Sequence, residues 1–546
     1  MTGQQKVLAG VAVAVVILAG LAARLWLATL APIYSYSLDA FGNIGHGLTA
    51  EPNGLLKAYE YPVDARTGEF DPNRQPAVKG WIWEKQDNGH YVRKSFPQAN
   101  NGRDYKFPHK VRYPPLGLTA MWLHIKLLGV FDPELTANTF TSRLVMAAGT
   151  ILCDLVMALG ALLLARELFG PRAGLVAGAV VWLFPPLVMD CTFWGQVDSW
   201  MLAPALLALW LMLRRRWLWA GVLLGVATQL KPQGLLMAPV ALFAAALIPR
   251  PEGAAARKEF LRRVGLGMAG AVGFILLAGL PWTLADGWVW FHRSYTDFFG
   301  LFPFTTLKAF NVWYVELMSL DAAHVATAFD PTVEVGGLTK DQWGRFLLIA
   351  TTAIWALVCW RRMKKTPHVA VVAFTCLWLW GTYMWPTRVH ERYIILAMPL
   401  AIILAAGLKR YWPAVVSMAI VGVAALTWNL WLSRSPTSAG GAGSAYGAWQ
   451  YMQSLAYQQH LSMDMVRLPP QFWAQYDAQR AGEWPWEILV TAVSLLGYAW
   501  ACGAAVFRMP QTDQAPLPTG QAKPTDRIDQ RAKNRRRDKR GGAGRP

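Results

Sequence analysis

Four short segments of the sequence combine carboxylate, cationic and aromatic residues in patterns that suit catalysis. They are Asp39 and the runs Trp194–Ser199, Lys231–Gln233 and Arg388–Tyr393. A carboxylate can accept a proton from a reacting group, and Lys, Arg and His can bind a phosphate. Each segment adjoins the end of a long apolar run. This placement predicts chemistry on an anionic substrate carried by a lipid.

The elements that must position these segments are membrane helices. Of the 546 residues, 54% are hydrophobic and only 16% are charged, whereas soluble proteins carry about 25% charged residues. This composition excludes a disordered chain and disfavours a single soluble domain. Because the apolar residues occur in repeated long blocks separated by short basic clusters, the sequence predicts an all-α polytopic membrane protein.

Twelve membrane spans are predicted, with both termini in the cytoplasm. The short connections rich in Lys and Arg then all fall on one side of the membrane, as the positive-inside rule requires. Three large loops lie on the outer side, at 32–143, 286–345 and 433–487. The spans lie near 7–28, 144–166, 172–189, 199–213, 218–230, 234–249, 264–285, 346–360, 368–386, 393–408, 412–432 and 488–507.

Two further elements are predicted in the first outer loop. The apolar run Leu116–Phe131 contains His124 and Lys126 and would break the topology if it crossed the membrane. We therefore expect an amphipathic helix lying along the interface. Alternating apolar and polar residues over Val78–Lys94, around Asp87-Asn88-Gly89, predict a β-hairpin with a two-residue turn.

Several central spans are short for a bilayer. Met201–Leu213 and Leu218–Leu230 would each extend ~20 Å, against ~30 Å of hydrocarbon. Their ends should therefore lie within the depth of the membrane. Polar side chains there cannot face lipid cheaply, which predicts a water-filled cavity open to the outer side. The residues expected to line it are Gln196, Asp198, Lys231 and Gln233.

The remaining charge and cysteine patterns argue against other functions. Residues 508–546 hold eleven Lys or Arg and four Asp, and the whole chain has a formal charge of +19. We expect a solvated, disordered cytoplasmic tail near anionic lipid, and no nucleic-acid partner. The five cysteines show no CxxC spacing, so neither a disulfide framework nor a zinc site is predicted.

These segments together resemble the GT-C superfamily of polytopic glycosyltransferases, which use polyprenyl- or dolichyl-phosphate sugars. The resemblance covers residues 7–507 approximately. It looks closest to the endoplasmic-reticulum glucosyltransferases of N-glycan assembly and their bacterial relatives, in which a His-Glu-Lys-type motif stands in the place of His390–Tyr393. Arg392 is the variant of that motif in this chain. The matching elements are Asp39, Tyr113–Leu116, Trp194–Ser199, Lys231–Gln233, Lys308–Trp313 and His390–Tyr393.

The resemblance implies that Asp39 is the catalytic base. A carboxylate in this position could take the proton of an attacking hydroxyl group. A helix N-cap is the structural alternative for the same residue. Glu60, Asp64 and Asp104 are rival bases.

Lys231, His390 and Arg392 are the expected ligands of the donor phosphate, because the leaving group gains charge as the glycosidic bond breaks. The structural alternatives are a snorkelling lysine for Lys231 and an ion pair with Glu391 for Arg392. Since these basic residues can neutralise a lipid monophosphate, we predict no metal and no other cofactor. Asp154, in mid-span, is expected to make a structural pairing between helices.

Sugar or acceptor binding is expected from a second group of residues. Trp194 could stack on a pyranose ring, while Gln196 and Asp198 could bond its hydroxyl groups; an interfacial tryptophan and a capping aspartate are the alternatives. Asn311 and Trp313 enter through the resemblance. The complete set is Tyr113, Trp194, Gln196, Asp198, Gln233, Asn311, Trp313, Glu391 and Tyr393.

The resulting hypothesis is a membrane glycosyltransferase. It would move one sugar, such as mannose, glucose or another hexose or pentose, from a polyprenyl phosphate to a hydroxyl group of a glycan, lipid or protein, with inversion. The site would face the periplasm or exterior from the plasma membrane, or the lumen in a eukaryote. A flippase for a lipid-linked saccharide is the main alternative, because transporters also place polar groups on broken helices. A membrane assembly partner is the third.

Overall fold

A computed structural model describes residues 3–30, 55–56, 59, 81–85, 91–95, 113–133, 139–249, 252–296, 305–307, 309–319, 331–363, 365–433 and 484–506. Most of these residues are helical, which confirms the predicted all-α polytopic membrane fold. Asp39, its rival bases, Lys308, most of the three outer loops and the tail at 508–546 lie outside the described residues.

The first half of the chain contains α1–α8. The break after α4 follows from Pro185, which restricts Phe184 to an extended conformation. A π-helical turn at Asp190–Trp194 follows α5, and a 3₁₀ turn at Pro232–Met237 precedes α8. The helices are α1 (Gly3–Leu30), α2 (Pro115–Phe131), α3 (Phe140–Phe169), α4 (Pro171–Leu183), α5 (Pro185–Met189), α6 (Asp198–Leu213), α7 (Trp217–Leu230) and α8 (Ala238–Leu247).

The second half contains α9–α16. A π-helical turn at His292–Thr296 follows α10, and 3₁₀ turns at Tyr393–Ala397 and Lys409–Tyr411 precede α14 and α15. The helices are α9 (Ala254–Asp286), α10 (Val289–Phe291), α11 (Val312–Ser319), α12 (Lys340–Arg362), α13 (Pro367–Met384), α14 (Met398–Gly407), α15 (Trp412–Ser433) and α16 (Trp484–Val506).

Helices occupy all twelve predicted spans, but they differ in length. Six helices in the described part of the chain are long and apolar enough to cross a membrane, and α4 with α5 and its π-helical turn makes a seventh span, bent by 43°. The others, such as α6 with 16 residues and α7 with 14, are shorter than the ~20 residues of a full crossing. Twelve complete crossings therefore stay a prediction.

Short strands link the loops. β1 (Trp81–Lys85) pairs antiparallel with β2 (Tyr91–Ser95), which confirms the predicted hairpin. Lys85 faces Tyr91 at the end of this pairing, and the predicted two-residue turn lies outside the described residues. β4 (Glu334–Val335) and β5 (Leu338–Thr339) form a second antiparallel pair.

Glycines bring α7 and α9 into backbone contact. A Cβ atom on Gly221 would lie 2.1 Å from the carbonyl oxygen of Gly267, and one on Gly270 would lie 2.2 Å from that of Leu218. Small residues permit this close approach between membrane helices, where van der Waals packing drives association. The contact fixes α7, whose C-terminus leads directly into Lys231.

Helix α2 packs against the end of α7. A Cβ atom on Gly117 would lie 2.5 Å from the carbonyl oxygen of Leu230. One face of α2 is buried, and His124 stacks on Trp200 with ring centroids 5.7 Å apart. The exposed face carries Lys126 among apolar side chains such as Val130. Its location at the membrane interface stays a prediction.

A buried ion pair joins α1 to α3. Arg24 Nη2 lies 2.7 Å from Asp154 Oδ2, and both side chains are almost fully buried. The guanidinium group also donates to the carbonyl oxygen of Trp182 at 3.0 Å and lies 3.9 Å from the centroid of its ring. The expected structural pairing of Asp154 between helices is therefore confirmed.

Candidate active site

The Trp194–Ser199 segment forms a tight turn at the end of the bent span. The carbonyl oxygen of Asp190 accepts a hydrogen bond from the Gln196 amide at 2.8 Å. Gly195 has a φ of 71°, a left-handed conformation that glycine adopts without steric cost. This turn places Asp198 in the first turn of α6, where the helix dipole favours a negative charge.

Asp198 is the central acceptor of the site. It is 1% exposed, its Oδ1 accepts a short hydrogen bond from Lys231 Nζ, and its Oδ2 lies 3.3 Å from Arg392 Nε. The N-cap position of α6 is Val197, with no side-chain capping bond. Asp198 therefore bridges two cations, and the alternative of a capping aspartate is wrong.

Lys231 enters the site because α7 stops immediately before it. Pro232 restricts the preceding residue to extended backbone, and Lys231 accordingly has φ −152° and ψ 132°. The residue is 4% exposed and its ammonium group bonds to Asp198. A snorkelling lysine would instead extend its charge into solvent, so that alternative is wrong.

The segment before His390 is fixed by contacts with two other elements. β3 (Thr306–Leu307) pairs parallel with β6 (Val389–His390). Arg388, with a φ of 63°, donates its amide to the carbonyl oxygen of Thr305 at 2.9 Å. Thr387 Oγ1 donates to Asp341 Oδ1 at 2.7 Å. A left-handed arginine costs roughly 1–2 kcal/mol, and these contacts hold the backbone in that conformation.

His390, Glu391 and Arg392 form a connected group. Arg392 Nη1 lies 3.3 Å from both Glu391 Oε1 and His390 Nδ1, and the same Nδ1 lies 3.1 Å from Glu391 Oε2. A neutral imidazole either donates from Nδ1 to Glu391 or accepts there from Arg392. The two contacts therefore correspond to different tautomers. The ion pair with Glu391, offered as the structural alternative for Arg392, is present together with the contact to Asp198.

The pKa shifts define the charges of this group. Burial lowers the pKa of His390, and the Arg392 guanidinium lowers it further. Burial alone would raise the pKa of Glu391, but the contacts with His390 and Arg392 outweigh it and the net pKa is lowered. Burial opposes the Arg392 charge, yet Glu391 and Asp198 raise its pKa overall. Around neutral pH, His390 is therefore neutral, while Glu391 and Arg392 are charged.

Three further predicted residues line the same site. Gln233 Nε2 donates to Tyr393 Oη at 3.1 Å, and the Arg392 guanidinium carbon lies 5.7 Å from the centroid of the Tyr393 ring. Trp194 lies in the π-helical turn and is 6% exposed. The structure thus brings together residues from three separated runs of sequence.

Tyr113, Asn311 and Trp313 make hydrogen bonds to other protein groups. The carbonyl oxygen of Tyr113 accepts from Tyr59 Oη at 2.5 Å. Asn311 Nδ2 donates to the carbonyl oxygen of Tyr383 at 3.1 Å, and Trp313 Nε1 donates to that of Trp385 at 2.7 Å. Asn311 and Trp313 therefore anchor the second outer loop to the end of α13. Their contact with sugar stays a prediction.

Asp190 is a site residue that the sequence analysis missed. It is 4% exposed and its carboxylate interacts electrostatically with Asp198, Arg392 and Lys231. The predicted span stopped at residue 189, one position before it. An ionisable residue inside an apolar run is a functional candidate by default, so a lone carboxylate shortly after Pro185-Pro186 was the available signal.

The charges in the site nearly balance. Two carboxylates, Asp198 and Glu391, contact two cations, Lys231 and Arg392, and the acidic side chain of Asp190 is close enough to interact with both cations. Each cation already contacts a carboxylate, so an entering anion would share the cation with that carboxylate. In the part of the chain that the structure describes, no group of three His, Cys, Asp or Glu side chains is arranged to hold a metal ion. Metal independence stays a prediction.

Comparison with known proteins finds one family that matches the central region of the chain. Residues 113–383 match the family model of glycosyltransferase family 87. None of the curated proteins compared with the chain matches it. The matched region begins at Tyr113, contains Asp190, Asp198 and Lys231, and ends shortly before His390. Residues 113–383 are thus similar to glycosyltransferase family 87, a family of membrane glycosyltransferases of the GT-C type.

Proposed function

We propose that the protein transfers one hexose or pentose from a polyprenyl phosphate to an acceptor hydroxyl group at the outer side of the membrane. One observation carries this proposal: the buried cation Lys231 and the largely buried cation Arg392 lie at helix interruptions of a chain that matches a membrane glycosyltransferase family. Buried cations are costly unless they are compensated. They suit a ligand that brings a phosphate to membrane depth.

The two cations retain donors for a phosphate. An ammonium group has three N–H donors and a guanidinium group has five. Lys231 donates to Asp198, and Arg392 donates from Nη1 to Glu391. Among the described residues, no hydrogen bond from Arg392 Nη2 is formed. A donor phosphate can therefore bind the remaining N–H groups while the carboxylates keep the cations in place.

These groups would stabilise the departing phosphate. The donor is a phosphodiester with one negative charge. The acceptor oxygen attacks the anomeric carbon and loses its proton to Asp39, and the bond between that carbon and the phosphate oxygen breaks. The electron pair of this bond stays on the polyprenyl phosphate, which gains a second charge. Preorganised cations favour that state, and a single in-line displacement inverts the anomeric centre.

The location of the site supports an outward orientation. Lys231, Asp198 and Arg392 lie at the ends of α7 and α6 and before α14, opposite the basic connections that the positive-inside rule assigns to the cytoplasm. Both termini would be cytoplasmic, in the plasma membrane of a bacterium or facing away from the lumen in a eukaryote. The resemblance to endoplasmic-reticulum glucosyltransferases makes glucose one of the donors to test, beside mannose.

The test is sugar transfer by the purified chain in detergent. Labelled polyprenyl-phosphate mannose, glucose and a pentose are supplied separately with a membrane extract as the source of acceptor, with and without EDTA. We expect transfer from one donor, unaffected by EDTA and lost in Asp39→Asn, which should still bind donor. Arg392→Ala should mainly weaken donor binding, whereas Arg214→Ala, in an exposed ion pair with Glu167, should leave transfer unchanged.

Two outcomes would contradict the proposal. Full turnover by Asp39→Asn would refute the assignment of the base. Absence of transfer from every donor, combined with donor movement across liposomes, would favour the flippase. The match to glycosyltransferase family 87 argues against that alternative, because the family performs transfer.

A further inference from the structure

Apart from the ion-paired atoms Asp198 Oδ2 and Arg392 Nε, three buried polar atoms of the site have no hydrogen-bond partner among the described residues. They are Asp190 Oδ1, Trp194 Nε1 and Gln233 Oε1. Their residues are 4%, 6% and 7% exposed, respectively. A buried polar atom without a partner costs free energy, and most such atoms in native proteins are satisfied. All three lie on the segments that carry Asp198 and Lys231, and a bound ligand at this site would supply the missing bonds.

The chemistry of the three atoms indicates hydroxyl groups. Asp190 Oδ1 and Gln233 Oε1 are acceptors, and Trp194 Nε1 is a donor. A sugar hydroxyl group both donates and accepts, so adjacent hydroxyl groups on one ring can satisfy all three atoms. A phosphodiester has no O–H group, so it could accept from Trp194 Nε1 but could not donate to Gln233 Oε1.

The position of Asp190 indicates that the sugar bound there is the transferred sugar of the donor. Its carboxylate is within electrostatic range of Lys231 and Arg392, the proposed phosphate ligands. Gln233 follows Lys231 by two residues and bonds to Tyr393, the neighbour of Arg392. In a polyprenyl-phosphate sugar, the ring is attached directly to the phosphate. The group next to the phosphate site is therefore the sugar that is transferred.

We propose that Asp190 binds hydroxyl groups of the transferred sugar and determines which sugar is accepted, with Trp194 and Gln233 completing the contacts. This inference rests on the proposed function and names the sugar contacts of the same site. The π-helical turn supports the assignment, because its backbone carbonyl at Asp190 holds the Gly195–Gln196 turn and leaves the carboxylate to the ligand. Such π-helical turns often occur at functional sites.

The experiment compares complete and monodeoxy donors. The value of kcat/KM is measured for polyprenyl-phosphate mannose, or glucose if that is the donor used, and for its 2-, 3-, 4- and 6-deoxy analogues. Wild type should use at least one analogue about 10- to 100-fold less well, as expected when a buried polar atom loses its hydrogen-bond partner. In Asp190→Ala, the ratio of kcat/KM for the complete donor to kcat/KM for that analogue should fall to near one. The value of kcat/KM for the complete donor should fall by a factor similar to the wild-type ratio.

Two variants separate sugar binding from a structural role. Asp190→Asn preserves the shape of the side chain and should reduce the discrimination between donors in part. Asp154→Asn removes an equally buried carboxylate that is paired with Arg24, and it should leave the ratio between donors unchanged. If the Asp190 variants lower kcat/KM equally for all donors, or change nothing, the assignment of Asp190 is wrong.

Failure of the proposed function is distinguishable from failure of this inference. If wild type transfers no sugar from any donor, the Kd values of the complete and deoxy donors are compared instead, by equilibrium binding of the labelled donors to the purified chain. Discrimination that depends on Asp190 would support the hydroxyl site without transfer. Equal Kd values for complete and deoxy donors would overturn it.

Discussion

The ion pair between Lys231 and Asp198 allows a quantitative test of the site. Its side chains are 5% and 2% exposed, and removing one partner of a buried pair typically costs about 3–5 kcal/mol of unfolding free energy. Asp198→Asn leaves Lys231 without a carboxylate within hydrogen-bond distance among the described residues. Lys231→Met leaves Asp198 with Arg392 at 3.3 Å. We therefore expect Asp198→Asn to be the more destabilising change.

The double variant Asp198→Asn/Lys231→Met should be more stable than Asp198→Asn alone, because replacing a whole buried pair with uncharged side chains is often close to neutral. The matched control is the pair Arg214–Glu167. Its separation is 2.7 Å, but its side chains are 50% and 26% exposed. For this exposed pair, Glu167→Gln should cost no more than about 1 kcal/mol.

The assay is equilibrium unfolding of the purified variants in detergent, supported by thermal denaturation. An Asp198→Asn variant as stable as Glu167→Gln would refute the reasoning, since burial would then have no effect on the unfolding free energy lost when one partner of an ion pair is removed. A double variant that loses the sum of the two single losses would also refute it. Such additivity would mean that the two residues do not interact.

Two further predictions concern helix packing and pH. Gly221→Val should lower the unfolding free energy in detergent by about 1–3 kcal/mol, because its Cβ atom would lie 2.1 Å from the Gly267 carbonyl oxygen. In the control Gly265→Val, the Cβ atom has no neighbour within 4 Å, so the loss should be smaller. Equal losses in the two variants would contradict the contact between α7 and α9. Because burial and Arg392 lower the pKa of His390, its stabilising contribution is complete above its unfolded pKa of about 6.5 and is lost as the pH falls through the lower folded value. The loss of thermal stability between about pH 7.5 and 5.5 should therefore be smaller in His390→Gln than in wild type, and an equal loss would argue against the lowered pKa.

The fold was predictable because its main signal is local. Each predicted span coincides with a helix, since hydrophobic runs and basic connections act through the solvent rather than through specific partners. The length of each crossing was less predictable. Pro185 and Pro232 end helices at nearby positions, and whether the next helix continues or bends depends on its neighbours.

The candidate site was predictable by residue type but not by partner. Lys231 and Arg392 were expected to bind phosphate, yet the structure shows each already held by a carboxylate. These contacts join positions far apart in the chain, such as Asp198 and Arg392, so periodicity carries no information about them. Asp190 was missed for the same reason, because its importance follows from the groups around it.

The sequence by itself determined that this chain is a helical membrane protein with polar groups at the ends of short helices, because transfer of each residue between water and lipid depends on its own chemistry. Only the tertiary structure decided that Asp198 bridges Lys231 and Arg392 and that Asp190 joins them. The physical reason is that a buried charge is stabilised by whichever groups packing brings near it. In this chain, the contact between α7 and α9 and the β3–β6 pairing hold the segments that carry Lys231 and His390.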